Sequence, residues 1–165
     1  KGASGLEGVY TKSFKSALDL SLLMKEELES KFYDLVVHAA AVSDFIPVTS
    51  GDSKISSDEE FKLDFEKAPK ILNKLKDWSF NKNIRVVSFK LTHNQSEKIV
   101  LEKIKKPLQD NNSDFVIHNE LSKIDLNNHE YSIWTDGSEA PISKGLTKES
   151  MAKQAVLLAY AGTKD

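Results

Sequence analysis

Asp44, Lys54 and Lys90 are the residues whose types and placing suit work on a phosphate. Asp44 closes the run Leu35-Val36-Val37-His38-Ala39-Ala40-Ala41-Val42-Ser43-Asp44. Lys54 follows ten residues later, across the polar stretch Thr49-Ser50-Gly51-Asp52-Ser53. Three consecutive alanines leave the main chain without side-chain bulk, so another molecule has room to lie against it. A carboxylate and an ammonium flanking such backbone suit a nucleotide phosphate with a bound divalent cation, since Mg²⁺ takes one or two carboxylates together with substrate phosphates. Lys90 stands at the end of a second apolar run, and His118-Asn119-Glu120 at the end of a third. The chain has no cysteine, and no serine sits in a G-x-S-x-G elbow, so there is no obvious nucleophile. Positioning and charge neutralisation remain, as phosphoryl and nucleotidyl transfer require. The plainer reading is a buried strand, an alanine-lined turn and a solvated loop.

Composition narrows the class. A chain of 165 residues is long enough for one domain with a real core, and 39% hydrophobic with 29% charged residues is ordinary for a globular protein. A net charge of −2 without a basic, aromatic-interleaved stripe gives no reason to expect nucleic acid. No apolar run is long enough to span a bilayer, and the N-terminus lacks the build of a signal peptide. The cytoplasm is the expected compartment. The four histidines fall into no metal-ligand spacing.

The elements that must carry these residues follow from periodicity. Residues 1–8 read as a loop, and Val9-Tyr10 as the end of a short strand. Ala17, Leu20, Met24 and Leu28 recur at helix spacing over about Ser13 to Glu29. Leu35 to Val37 reads as a strand buried on both faces, as in a parallel sheet. Phe61 to Phe65 alternates as a half-exposed strand, and Ala68-Pro69-Lys70-Ile71 opens a short helix running to Trp78. Ile84 to Phe89 is a second buried strand. Ser96 is the expected cap of a helix whose inner face is Val100, Leu101, Ile104 and Leu108. Asp114 to His118 is a third strand. Tyr131 to Trp134, the Asp136-Gly137 turn and Ala140 to Ile142 read as a hairpin, and Thr147 caps a last helix with Met151, Ala152, Ala155, Val156 and Ala159 inward. The alternation predicts an α/β, Rossmann-like three-layer parallel sheet with helices on both faces plus a C-terminal hairpin. With no G-x-G-x-x-G ahead of the first helix, the first βαβ unit is expected to be missing. Ligands of such sheets sit beyond the strands' carboxyl ends, so three strand ends should meet at one rim.

Five motifs then resemble one family in order and spacing: Ala39-Ala40-Ala41-Val42-Ser43-Asp44-Phe45, Lys54-Ile55, Ala68-Pro69-Lys70-Ile71-Leu72, Ser88-Phe89-Lys90-Leu91 and His118-Asn119-Glu120-Leu121-Ser122. They resemble phosphopantothenate–cysteine ligase (phosphopantothenoylcysteine synthetase) of coenzyme A biosynthesis, the DNA/pantothenate metabolism flavoprotein C-terminal domain family. The resemblance covers most of the chain from about Val9 onward and reads as a single domain over 1–165. It implies that phosphopantothenate is activated by CTP or ATP with Mg²⁺ as an acyl nucleotidylate, and that L-cysteine then displaces the nucleotide. It also implies a homodimer. Lys54-Ile55-Ser56-Ser57 and Asn119-Glu120-Leu121-Ser122 are similar to the streptococcal type, which leans towards CTP.

By the same resemblance, Ala39, Ala40, Ala41 and Val42 match the backbone against the nucleotide. Asp44 matches the acidic residue at ribose and metal, and Lys54 the loop lysine that closes over phosphates and intermediate. Phe89 matches the residue beside the nucleobase, although a strand phenylalanine also reads as core. Lys90 is read as pairing with phosphate or snorkelling at the rim. Asn119 matches a substrate-binding strand-end asparagine. Lys103, Lys105 and Lys106 read as a solvated helix face, and His38 and His118 as strand-end residues with hydrogen-bond partners. The family's glycine-rich turn and acyl-stabilising asparagine have no counterpart, so this chain alone is expected to be inactive as a ligase. Two other readings stand beside it. A dehydrogenase-type module needs a Tyr-x-x-x-Lys pair, and only Tyr160 has a lysine at that spacing, beyond the expected sheet. A non-catalytic module that kept the fold is the other.

Overall fold

A computed structural model of the chain describes residues 8–48 and 64–161. Its centre is a five-stranded sheet in the order β1-β4-β5-β6-β7, beside a separate β2–β3 ribbon. The strands are β1 (Leu35–His38), β2 (Phe45–Pro47), β3 (Phe65–Lys67), β4 (Arg85–Thr92), β5 (Phe115–Glu120), β6 (Tyr131–Thr135) and β7 (Ser143–Gly145). β1, β4 and β5 run parallel, with Leu35 opposite Arg85 and Val87 opposite Phe115. β6 and β7 are antiparallel additions. The mostly parallel α/β sheet expected from the alternation is present.

Side-chain alternation divides the sheet into two faces. One presents Val86 and Val116 to α1 (Ala17–Ser30), α2 (Leu75–Trp78) and α3 (Glu97–Gln109), which bury Leu20, Leu28, Leu75, Ile104 and Leu108 against it. The opposite face presents Val87, Ile117 and Ile133 to α4 (Lys148–Ala161) through Ala155, Met151 and Leu158. The helices thus lie on both faces, three against one. Each fully buried aliphatic side chain contributes about 1.5–3 kcal/mol, so these stripes fix where the helices sit.

Local signals explain most boundaries. Ser16 forms a capping box with Asp19, accepting from its N–H at 3.1 Å while the Asp19 carboxylate accepts from the Ser16 N–H, so α1 starts at Ala17 rather than Ser13. Thr147 accepts from the Ser150 N–H at the start of α4, as expected. Pro69 precedes a 3₁₀ turn (Ile71–Lys74) that leads into α2.

Several expectations are corrected. β1 lies at the sheet edge with Val37 47% exposed, because among the described residues it pairs with β4 alone; it is not buried on both faces. Val9 and Tyr10 are exposed and form no strand. The strand placed at Phe61–Phe65 appears as exposed β3, paired with β2, while 61–63 lie outside the described residues. The partner of β6 is β7 rather than 140–142, and both extend the main sheet. Ser96 occupies the cap position of α3, but its side chain makes no capping bond. On α4, Ala152 and Val156 face outward, since one stripe of Met151, Ala155 and Leu158 already fills the contact.

Candidate active site

β1 and β4 deliver their carboxyl ends to a cleft of about 550 Å³. Its walls are the turn from His38 to Asp44, the segment Ala68–Asn73, the end of β4 from Ser88 to Leu91, and the α3 side chains Lys103, Lys106 and Pro107. The Ala68 N–H donates to the Asp44 carbonyl at 3.0 Å, which ties two of these walls together. Ser43 Oγ donates to the Phe45 carbonyl at 2.7 Å and fixes the turn's exit. Ala39, Ala40 and Ala41 are exposed along the opening, so the main chain there is reachable, while Val42 packs back onto the core.

The charges in the cleft are of mixed sign but unequal number. Asp44 is exposed on one wall. Lys90 is half-buried on the floor, and burial pushes its ammonium below the ordinary lysine range; Lys70 and Lys103 push the same way and Asp44 opposes them. Lys106 is held by Asp110 at 3.2 Å. His38 shares the cleft and is kept towards its neutral form by burial. Phe89 lines the cleft and also packs partly against the core beneath α4. The arrangement can seat an anionic ligand against bare main chain, with Asp44 available to a cation that the ligand brings.

Not every expected residue arrives. The end of β5 lies beside that of β4 on the same sheet edge but does not line this cleft. His118 and Glu120 open instead on a second cleft of about 630 Å³ beyond α3, where His118 Nε2 lies 2.8 Å from Thr92 Oγ1 and Thr92 donates to Glu120 at 2.5 Å. Asn119 points away from both clefts: its Nδ2 donates to the Glu130 carbonyl at 2.8 Å, which fastens the end of β5 to the segment before β6. Lys54, with the 49–53 stretch and Ile55, lies outside the described residues. Conversely, Lys70 and Lys103 were not among the expected site residues, and Lys103 and Lys106 are not merely a solvated face. Lys103 follows Val100 by three positions and precedes Pro107 by four, so it borders the buried stripe of α3, and that spacing was the available signal.

A mostly parallel α/β sheet with a ligand-sized cleft beyond its strand ends defines a class of fold that binds its ligands at that edge. Within that class the chain belongs to the DNA/pantothenate metabolism flavoprotein C-terminal domain family, which residues 3–160 match. It is 33% identical over 122 residues to the coenzyme A biosynthesis bifunctional protein CoaBC of Methanocaldococcus jannaschii, covering 73% of this chain and 30% of that protein. The CoaBC protein of Thermococcus kodakarensis is 36% identical over 98 residues, covering 59% of this chain and 24% of that one. The chain therefore spans under a third of the length of these curated relatives. Among solved structures, the DNA/pantothenate metabolism flavoprotein from Streptococcus pneumoniae superposes with a TM-score of 0.75 at 26% identity, over 91% of this chain and 72% of that one.

Proposed function

We propose that residues 1–165 form a single phosphopantothenoylcysteine synthetase-like domain and carry part of the active site of a phosphopantothenate–cysteine ligase, this chain alone being inactive. The observation that carries this reading is the cleft in which Asp44 and Lys90 flank the bare Ala39–Ala41 backbone, in a chain of this family. In the proposed reaction a carboxylate oxygen of phosphopantothenate attacks the α-phosphorus of CTP or ATP, and pyrophosphate leaves with the electrons of the broken P–O bond. The L-cysteine amine then attacks the acyl carbon. The nucleoside monophosphate departs and the amine gives up its proton to solvent.

Ala39 to Val42 lie against the nucleotide in this assignment, Phe89 borders the base, and Lys90 faces phosphate. Asp44 is the carboxylate offered to ribose and to Mg²⁺. Among the described residues no group of three or more His, Asp or Glu side chains is placed to hold a metal ion, so a metal beside Asp44 would be completed by substrate phosphates, as Mg²⁺ commonly is. Lys54 is assigned, on the sequence, to closing over the phosphates and excluding water from the mixed anhydride. Asn119 is assigned, on the sequence alone, to substrate binding; its Nδ2 donates to the Glu130 carbonyl. A homodimer in the cytoplasm completes the proposal; among the described residues no helix is long and apolar enough to cross a membrane.

Thermal unfolding with added nucleotides tests the reading. CTP or ATP with MgCl₂ should raise Tm, since a ligand at a hundred times its Kd stabilises by about 2.7 kcal/mol. A rise with NADPH and none with either triphosphate would replace it with the dehydrogenase-type reading.

A further inference from the structure

The second cleft, between α3 and the β5–β6–β7 part of the sheet, holds a histidine with one ring nitrogen committed and the other free. Glu120 fixes the arrangement. Its carboxylate accepts from Thr92 Oγ1 at 2.5 Å, from the Asn94 N–H at 3.1 Å and from Ser122 Oγ at 3.3 Å. These bonds, that from Thr92 foremost, hold the carboxyl below its ordinary range, so at neutral pH it is ionised and can only accept. Thr92 has one hydroxyl proton, and it is spent on Glu120. Towards His118 Nε2, 2.8 Å away, Thr92 Oγ1 therefore acts as acceptor, and Nε2 carries the proton. Burial lowers the imidazole's affinity for a second proton, with Glu120 opposing, so Nδ1 is an unprotonated acceptor at neutral pH. Among the described residues nothing donates to it, and it is not sealed from solvent as the buried, unpaired His129 Nδ1 is. Tying β4 to β5 needs only Nε2.

The rest of the cleft combines an apolar wall with an excess of acceptors. Val100, Leu101, Ile104 and Trp134 line it, and the Trp134 indole N–H is already satisfied by Ser132 Oγ at 2.9 Å. Lys123 is held by Glu130 at 2.6 Å. Glu97, in the first turn of α3, and Lys144, on β7, form no ion pair among the described residues. β7 lies two strands from β5, about 10 Å across the sheet, so the end of the cleft between α3 and β5 offers free acceptors and no free cation. We infer that this cleft is a second ligand site, in which His118 Nδ1 and the Glu97 carboxylate receive the protonated amine of a small molecule whose apolar body lies against Leu101 and Trp134. The site stands apart from the ligase reading and does not depend on it, since α3 lies between the two clefts.

NMR titration of the whole chain at neutral pH tests the site. The ring nitrogens of His118 should show Nε2 protonated and Nδ1 bare, and isoamylamine, protonated at that pH, should move the Nδ1 resonance together with the Trp134 indole N–H. Isocaproate has the same apolar body and a carboxylate in place of the amine, and it should bind about tenfold more weakly or not at all. His118→Gln keeps an N–H for Thr92 but removes the Nδ1 acceptor, and should weaken the amine about tenfold with an unchanged melting curve. Glu97→Gln, at an exposed position, should weaken it too, and decides alone if His118→Gln fails to fold. Glu102→Gln, which removes an exposed carboxylate of α3 outside the cleft, should leave binding as it is. A proton on Nδ1, isocaproate binding as tightly as the amine, no binding of the amine, a folded cleft variant that binds it like the wild type, or an equal loss in Glu102→Gln refutes the site and leaves the ligase reading standing.

Discussion

Lys90 holds a charge where the protein makes that charge costly, and this has opposite consequences for stability and binding. Burial first, then Lys70 and Lys103, lower its affinity for a proton below the ordinary value of 10.5. Its ammonium therefore disfavours the folded state at neutral pH, a cost that disappears as pH rises from the lowered folded value towards 10.5. Lys90→Met should accordingly raise Tm at neutral pH while weakening triphosphate binding, which melting and titration of one variant would check together. Glu27 behaves in the reverse sense. Hydrogen bonds from Lys12, Lys31 and Tyr33 hold its carboxyl down to about 2, so its contribution is complete above 4.5 and fades as pH falls through about 2. Glu27→Gln should lower Tm at neutral pH, and the difference from wild type should vanish near pH 2. At this scale the placing of Asp44 and Lys90 at the cleft was legible because each comes at the end of an apolar run in the sequence. Lys103 was not, because only the tilt of α3 against the sheet decides whether a residue bordering its apolar stripe meets solvent or a cleft.

Among the elements, α3 matters most, since it is both lid over one sheet face and wall of the cleft. Ile104 is fully buried beneath it with Val116 and Trp134. Ile104→Ala should cost about 2–5 kcal/mol, read from urea unfolding, with the spread set by how far the helix settles. The β6–β7 pair depends on a different feature. A Cβ on Gly145 would lie 2.5 Å from the buried Tyr131 ring, so Gly145→Ala should cost about 1–3 kcal/mol. Proteolysis or hydrogen exchange would localise that loss to 131–145. Helix α1 and strands β4 and β5 could be read from periodicity because each buries a continuous stripe. The three-residue strands β2 and β7 could not be placed, since so short a stretch is defined only by what it pairs with, and the alternation over Phe61–Phe65 reached only the first residue of β3. The β7 register is a clear case. Gly145 is there because Tyr131 occupies the space its side chain would need, a tertiary fact invisible in the local sequence.

For the molecule as a whole, sheet order and cleft position follow from one choice, that α3 returns over the face where β4 meets β5. That leaves the strand end of β1 open on one side of the helix and the strand end of β5 on the other, so two clefts form along the one expected rim. Three of the five family motifs line the first cleft, part of the His118–Ser122 motif borders the second, and Lys54-Ile55 lies outside the described residues. The most direct measurement is calorimetric titration of CTP and ATP, in Mg²⁺, into the wild-type chain and into Asp44→Asn. The account predicts saturable binding of a triphosphate by the wild type, and at least tenfold weaker binding by Asp44→Asn with an unchanged melting curve, because Asp44 is exposed and its backbone, not its carboxylate, holds the turn to Ala68. Equal affinity in the two proteins, or no binding by either, would contradict it.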